Sequence, residues 1–126
     1  MHLIIQTREA PKAIGPYSQG IVAGNLVFVS GQLGLDPQTG ELPGPDLADQ
    51  ARQALANLKA VLAAGKCNLG HVVSVDVYLV DMNDFAAFNT IYEEFFQDHK
   101  PARAVVAVKA LPKNGRVEIK CMACRP

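Results

Sequence analysis

Little in this chain points to a nucleic acid, a membrane or a bound cofactor. It carries no excess of charge: 12 lysines and arginines stand against 12 aspartates and glutamates, for a formal net charge of zero. A broad nucleic-acid footprint needs clustered excess base, so nucleic acid is not the expected partner, and neither is an anionic membrane held by charge. No run approaches the roughly 20 apolar residues of a membrane-spanning helix. The opening Met1 to Gln6 has too short an apolar stretch for a secretory signal and no basic leader. Three cysteines, Cys67, Cys121 and Cys124, form no disulfide framework, which suits a reducing, cytoplasmic setting. A G-x-G-x-x-G, a phosphate loop and a nucleophile elbow are all missing, and Ser18 and Ser30 have no adjacent base. His2, His71 and His99 are scattered without ligand spacing. Cys121 and Cys124 make a lone C-x-x-C, but positions three apart on a strand face opposite ways, so no metal and no cofactor is expected.

What remains is a chain of 126 residues, 49% hydrophobic, enough for one domain over 1–126 with a real core. Leu3 to Ile5 reads as a short strand. Ala10 to Pro16, with two prolines and a glycine, reads as extended loop. Runs on either side of Ala23-Gly24-Asn25 suggest a hairpin, its second strand Leu26 to Val29 buried on both faces and ended by Ser30-Gly31. Gly34 to Pro45 is a surface loop. Asp46 and Gly65 are the expected caps of a helix whose apolar face is Leu47, Ala51, Leu55, Leu58 and Leu62. Val72 to Val80 alternates as a strand, with Val73, Val75, Val77 and Leu79 on one side. Asp81, Asn83 and Asp84 open a second helix with the stripe Phe85, Phe88, Tyr92 and Phe95, stopped by Pro101. Strands at Arg103 to Lys109 and Arg116 to Cys124 complete a β-β-β-α-β-α-β-β order. That order implies an α+β fold, two helices on one face of a mixed sheet.

Two charged residues stand out in the last part of the chain. Arg103 opens an apolar run, where a guanidinium is costly to desolvate without an anionic partner. It can hold a carboxylate by two bonds; the plainer alternative is a structural acid. Glu118 lies between Val117 and Ile119, so alternation sends it to the opposite face. Apolar neighbours would raise its pKa toward working pH, as suits a group that positions or deprotonates water; the plainer alternative is a solvent-facing edge residue. Tyr17, fixed behind Gly15-Pro16, can cap a pocket or belong to the core. Ser30 and Gly31 can meet a small polar ligand or simply end a strand. Asn89 lies one turn from Phe85 and borders either a pocket or solvent.

The motif P-A-R-x-x-V-x-V-x-x-L-P, from Pro101 to Pro112, followed by Val117-Glu118-Ile119, resembles the signature of the RidA/YjgF/UK114 family. Three more blocks agree in order and spacing: Ala13-Ile14-Gly15-Pro16-Tyr17-Ser18-Gln19, Ser30-Gly31-Gln32, and Asn83-Asp84-Phe85 with Asn89. The resemblance covers nearly the whole chain. It implies a chorismate-mutase-like fold with a mixed six-stranded sheet, and a homotrimer whose sheets turn inward. It also implies a cofactor-free deaminase of reactive imines and enamines such as 2-iminopropanoate, 2-aminoacrylate and 2-iminobutanoate, yielding 2-oxo acids and ammonia. In the family pattern the arginine matching Arg103 clamps the substrate carboxylate and the glutamate matching Glu118 orients water. Residues matching Tyr17, Ser30, Gly31, Phe85 and Asn89 line the site, with backbone contact at Val105. Ala104 and Val105 replace the Ser and Cys of some members, so chemistry needing that thiol is excluded here. Lys120 stands where many members carry an acid.

The two alternatives to a deaminase are a non-catalytic small-carboxylate-binding regulator and a ribonuclease or translation inhibitor. If the last two strands formed a hairpin, Arg103 and Glu118 would lie roughly 16 Å apart along it. The family's sheet order instead puts Val72 to Val80 between them. Neither arrangement brings them together in one chain, so a pocket between subunits is expected.

Overall fold

The computed structural model describes residues 2–126; Met1 lies outside the described residues. The strands are β1 (His2–Ile5), β2 (Gly20–Ala23), β3 (Leu26–Leu33), β4 (Val72–Leu79), β5 (Ala102–Ala107) and β6 (Val117–Cys124), with helices α1 (Leu47–Ala64) and α2 (Phe85–Phe96). They form one six-stranded sheet in the order β1-β2-β3-β6-β4-β5. All neighbours run antiparallel except β4 and β5, which are parallel and joined through α2. The expected α+β class and element order hold. The last two strands are not a hairpin: β4 separates them.

One face of the sheet is apolar and carries both helices. Val27, Val29, Val75, Val77, Leu79, Val117, Ile119, Cys121 and Ala123 are buried there against Ala51, Leu55, Leu58, Val61 and Leu62 of α1 and Phe88 and Ile91 of α2. Burying each large side chain is worth about 1.5–3 kcal/mol. Asp46 takes the N-cap position of α1 without a side-chain cap bond, and Gly65 closes the helix. Gly34 lets the end of β3 press on α1: a Cβ there would run into the carbonyl oxygen of Gln50.

Three local readings change. The β3 strand does not stop at Ser30-Gly31. Pairing with β6 goes from Val29↔Cys121 to Gln32↔Ile119, so Ser30 and Gly31 together oppose Lys120 in a β-bulge. Nor is β3 buried on both faces, since Phe28 is 38% exposed on the side without helices. A second bulge at Val73 pushes that residue out to 45% exposure, and Val72 takes its place in the buried set. In α2 the buried stripe is Phe88, Ile91, Tyr92 and Phe96, while Phe85 and Phe95 lie nearer solvent. The helix ends at Phe96, with Gln97 in the left-handed region at φ 57°, before Pro101 is reached.

The face opposite the helices keeps a mixture of apolar and charged groups at least partly open to solvent. Phe28, Tyr78, Met122, Glu118 and Lys120 all project from it.

Candidate active site

The residues singled out by the sequence fall into two clusters. The first forms on the edge strand β5 under α2. Arg103 pairs in register with Val75, whose side chain is buried beneath the helices, so the guanidinium rises on the helix-bearing side. Its Nη1 donates to Oδ1 of Asn89 at 2.8 Å. Its Cζ stands 4.6 Å from the ring centroid of Tyr92 and 5.9 Å from that of Phe85. Two rings and a neutral amide orient the fork without cancelling its charge. The ion pairs among the described residues are Arg116–Asp84 and Arg52–Glu94, and neither involves Arg103. The fork borders an open cavity of about 400 Å³ with Asn89 and Tyr92. Val105 turns its side chain into the core, so it offers a ligand only its edge-strand backbone.

Tyr92 is a contributor that the sequence reading gave only to the core. Its hydroxyl is buried without a hydrogen-bond partner among the described residues. Burial pushes its pKa up to about 12, with the Arg103 charge pulling the other way. A tyrosine three residues after Asn89 faces the same side of the helix, which is the signal that could have found it.

The second cluster forms on the other face of the sheet, in a cavity of about 550 Å³. Glu118, Tyr17, Ser30 and Gly31 all line it. Burial raises the Glu118 pKa above the ordinary glutamate value, and no neighbouring cation or donor offsets it. A carboxyl held nearer neutrality, without a partner among the described residues, suits proton transfer. Gly31 makes its seat: an added Cβ would lie 2.9 Å from Cδ and Oε2 of Glu118. Tyr17 is 52% exposed at the rim rather than in the core. Ser30 is less free than expected. Its Oγ donates to the Ser18 carbonyl, so its single proton is committed to holding the Tyr17 loop.

Arg103 and Glu118 do not meet within the chain. Glu118 is in register with Tyr78 and through it with Val106, three residues beyond Arg103. That separation is about 10 Å along and about 10 Å across the strands, with the side chains on opposite faces. Cys121 is buried and Cys124 half-buried on alternate sides of β6, as free thiols. No group of three or more metal-ligating side chains occurs among the described residues. Among the described residues no helix is long and apolar enough to cross a membrane.

Known proteins share the sequence and the fold of this chain. The chain is 51% identical over 123 residues to a RutC family protein of Pyrococcus horikoshii, covering 98% of both. It is 48% identical over 120 residues to the 2-iminobutanoate/2-iminopropanoate deaminase of Capra hircus, covering 95% of this chain and 88% of that one. The crystal structure of Escherichia coli TdcF with bound serine superposes with a TM-score of 0.94 at 45% identity, over 98% of this chain and 99% of that one. The profile described as endoribonuclease L-PSP matches residues 7–125. The chain therefore belongs to the endoribonuclease L-PSP family, the RidA/YjgF group whose motifs it resembles.

Proposed function

We propose that this chain is one RidA-like domain that hydrolyses 2-imino acids and their enamine tautomers to 2-oxo acids and ammonia. The observation that carries the reading is the division of labour between two half-sites. A guanidinium with no acidic partner among the described residues waits on one face, and a carboxyl of raised pKa, likewise without a partner there, waits on the other. A second copy of the chain bringing its Glu118 pocket to the first copy's Arg103 edge would complete a site. A homotrimer repeats that contact around a closed ring.

In such a site Arg103 holds the substrate carboxylate by two parallel bonds, with Asn89 and Tyr92 fixing its plane. Glu118 of the neighbouring copy takes a proton from water as the water oxygen bonds to the imine carbon. That proton goes to nitrogen to give a carbinolamine; the carboxylate then takes the new hydroxyl's proton and passes it to the amine, so that the C–N bond breaks and ammonia leaves as the carbonyl forms. One water is consumed, and no cofactor is needed. The reaction is easy in water, so positioning and one acid–base group suffice. The three free thiols suit a reducing, cytoplasmic setting.

The test is a serine or threonine dehydratase assay with the pure protein added. Faster release of pyruvate or 2-oxobutanoate is expected, and unchanged release refutes the proposal for those substrates. Glu118→Ala should abolish turnover while sparing carboxylate binding. Full turnover in that variant would also refute the mechanism. Ligand binding without turnover in the unmodified protein favours the regulator reading. RNA cleavage that survives rigorous purification and disappears in Arg103→Ala favours the ribonuclease reading that the family's description carries.

A further inference from the structure

The four polar side chains buried among the described residues either line the Glu118 pocket or bond to backbone at or near its walls. They are Gln19, Gln32, Gln50 and Asn57, each 4% exposed or less. Gln19 and Gln32 line it. Asn57 donates to the carbonyls of Leu33 and Leu35, which are both pocket walls. Gln50 accepts from the amide of Arg116, two residues before Glu118. A buried amide is costly unless fully bonded, and an apolar side chain would pack as well at less risk. Two of them line the cavity and two brace neighbouring backbone from α1, so bonded amides hold its walls in place.

Gln19 spends its entire side chain on one loop. Oε1 accepts from the Thr7 amide at 2.7 Å, and Nε2 donates to the carbonyls of Thr7 at 3.0 Å, Ala10 at 3.3 Å and Pro11 at 2.8 Å. That loop joins β1 to β2 and has no strand or helix of its own. Apart from the Ser30 Oγ bond to the Ser18 carbonyl at its β2 end, its other side-chain and turn hydrogen bonds among the described residues are short-range, from the Glu9 amide to Thr7 Oγ1 and from the Tyr17 amide to the Gly15 carbonyl. The loop supplies Pro11, Lys12, Ile14 and Tyr17 to the pocket. The Gln19 carbonyl also accepts from the Ser30 amide at 3.0 Å, next to the glycine that seats Glu118. One residue thus links the loop wall to the carboxylate's seat.

We infer that Gln19 is a positioning residue, which holds the Tyr17 loop at a fixed distance from Glu118 before any ligand arrives. The inference rests on the reading of the Glu118 pocket as half of a deaminase site. Its test is Gln19→Met, which keeps length and deletes the amide, with Gln19→Asn, which keeps the amide but falls short of its partners. Two measurements are made on each folded oligomer. Trypsin cleavage after Arg8 or Lys12 should accelerate by about tenfold or more, with the rest of the chain still protected. The kcat/KM for imine hydrolysis should fall by about tenfold, chiefly in kcat, and by no more than about twofold when Tyr17 is already alanine. Unchanged cleavage, or losses that simply add to that of Tyr17→Ala, would overturn the role. So would loss of the folded oligomer in both variants, which would make Gln19 a stability residue. If the unmodified protein hydrolyses no imine, the deaminase reading falls, and the trypsin result alone decides whether Gln19 clamps the loop.

Discussion

Arg103 and Glu118 stand on opposite faces of one sheet, with β4 between their strands. Each sits in its own half-site, and neither cavity is lined by the other residue. A chain with Arg103→Ala keeps an intact Glu118 pocket, and a chain with Glu118→Ala keeps an intact Arg103 edge. Each variant alone should be inactive. In oligomers refolded from an equal mixture, about a quarter of the contacts pair the two unmodified halves. Activity should therefore return to about a quarter of the unmodified level, measured by dehydratase-coupled 2-oxo acid release. Verified mixed oligomers that stay inactive would rule out a site shared between copies.

The seat of Glu118 predicts a separation of activity from stability. The Cβ of Gly31→Ala would meet the end of the Glu118 side chain rather than backbone. The carboxylate can swing away, so the fold should lose little, with a melting temperature close to that of the unmodified protein. The displaced group would miss the attacking water by an ångström or so, and kcat should fall on the order of a hundredfold. Adding Gly31→Ala to Glu118→Ala should cost nothing more.

Burial of Glu118 also fixes the sign of a pH effect. Its pKa is raised in the folded state, so the neutral form is favoured there. Stability from that form is complete below the unfolded carboxyl pKa, about 4.3, and is lost as pH rises through the folded value. Glu118→Gln removes the ionisation. The variant should melt at a higher temperature than the unmodified protein at pH 7 to 8, and the gain should vanish toward pH 4. A constant difference across that range would mean that Glu118 ionises in the folded protein as it does in water.

Much of this was legible from residue order because strong local patterns agreed with the fold. The face of α1 and the strand β4 follow from periodicity, and Gly65 closes the helix as its type suggests. The misreadings fall on backbone irregularities. A bulge shifts alternation by one residue, and nothing local in Val72-Val73-Ser74 announces it. The Ser30-Gly31 pair did carry a signal, but a strand end and a bulge both use glycine. For the site, Arg103 and Glu118 were visible because a charge in an apolar run needs an explanation. The buried amides Gln19 and Asn57 were not, since a polar residue in a loop or on a helix looks solvated until its partners are known. The aromatic under Arg103 was hidden for the opposite reason, as Tyr92 fitted an apolar stripe perfectly well.

Tyr92 separates the ring from its hydroxyl. The ring lies 4.6 Å from the Arg103 guanidinium and packs tilted against Phe96 at 4.7 Å, while the hydroxyl has no partner among the described residues. A buried unpaired hydroxyl costs about 1–3 kcal/mol, and phenylalanine keeps every other contact. Tyr92→Phe should therefore stabilise the protein by about 1 kcal/mol in urea unfolding, with KM and kcat unchanged. Tyr92→Leu removes the surface on which the fork rests, so the guanidinium gains freedom that substrate binding must take away. A cation over a ring is worth about 0.5–2 kcal/mol, which corresponds to a rise in KM of roughly 2- to 30-fold. The outcome that contradicts this is a stability loss in Tyr92→Phe, which would mean that the hydroxyl bonds to a group supplied on assembly.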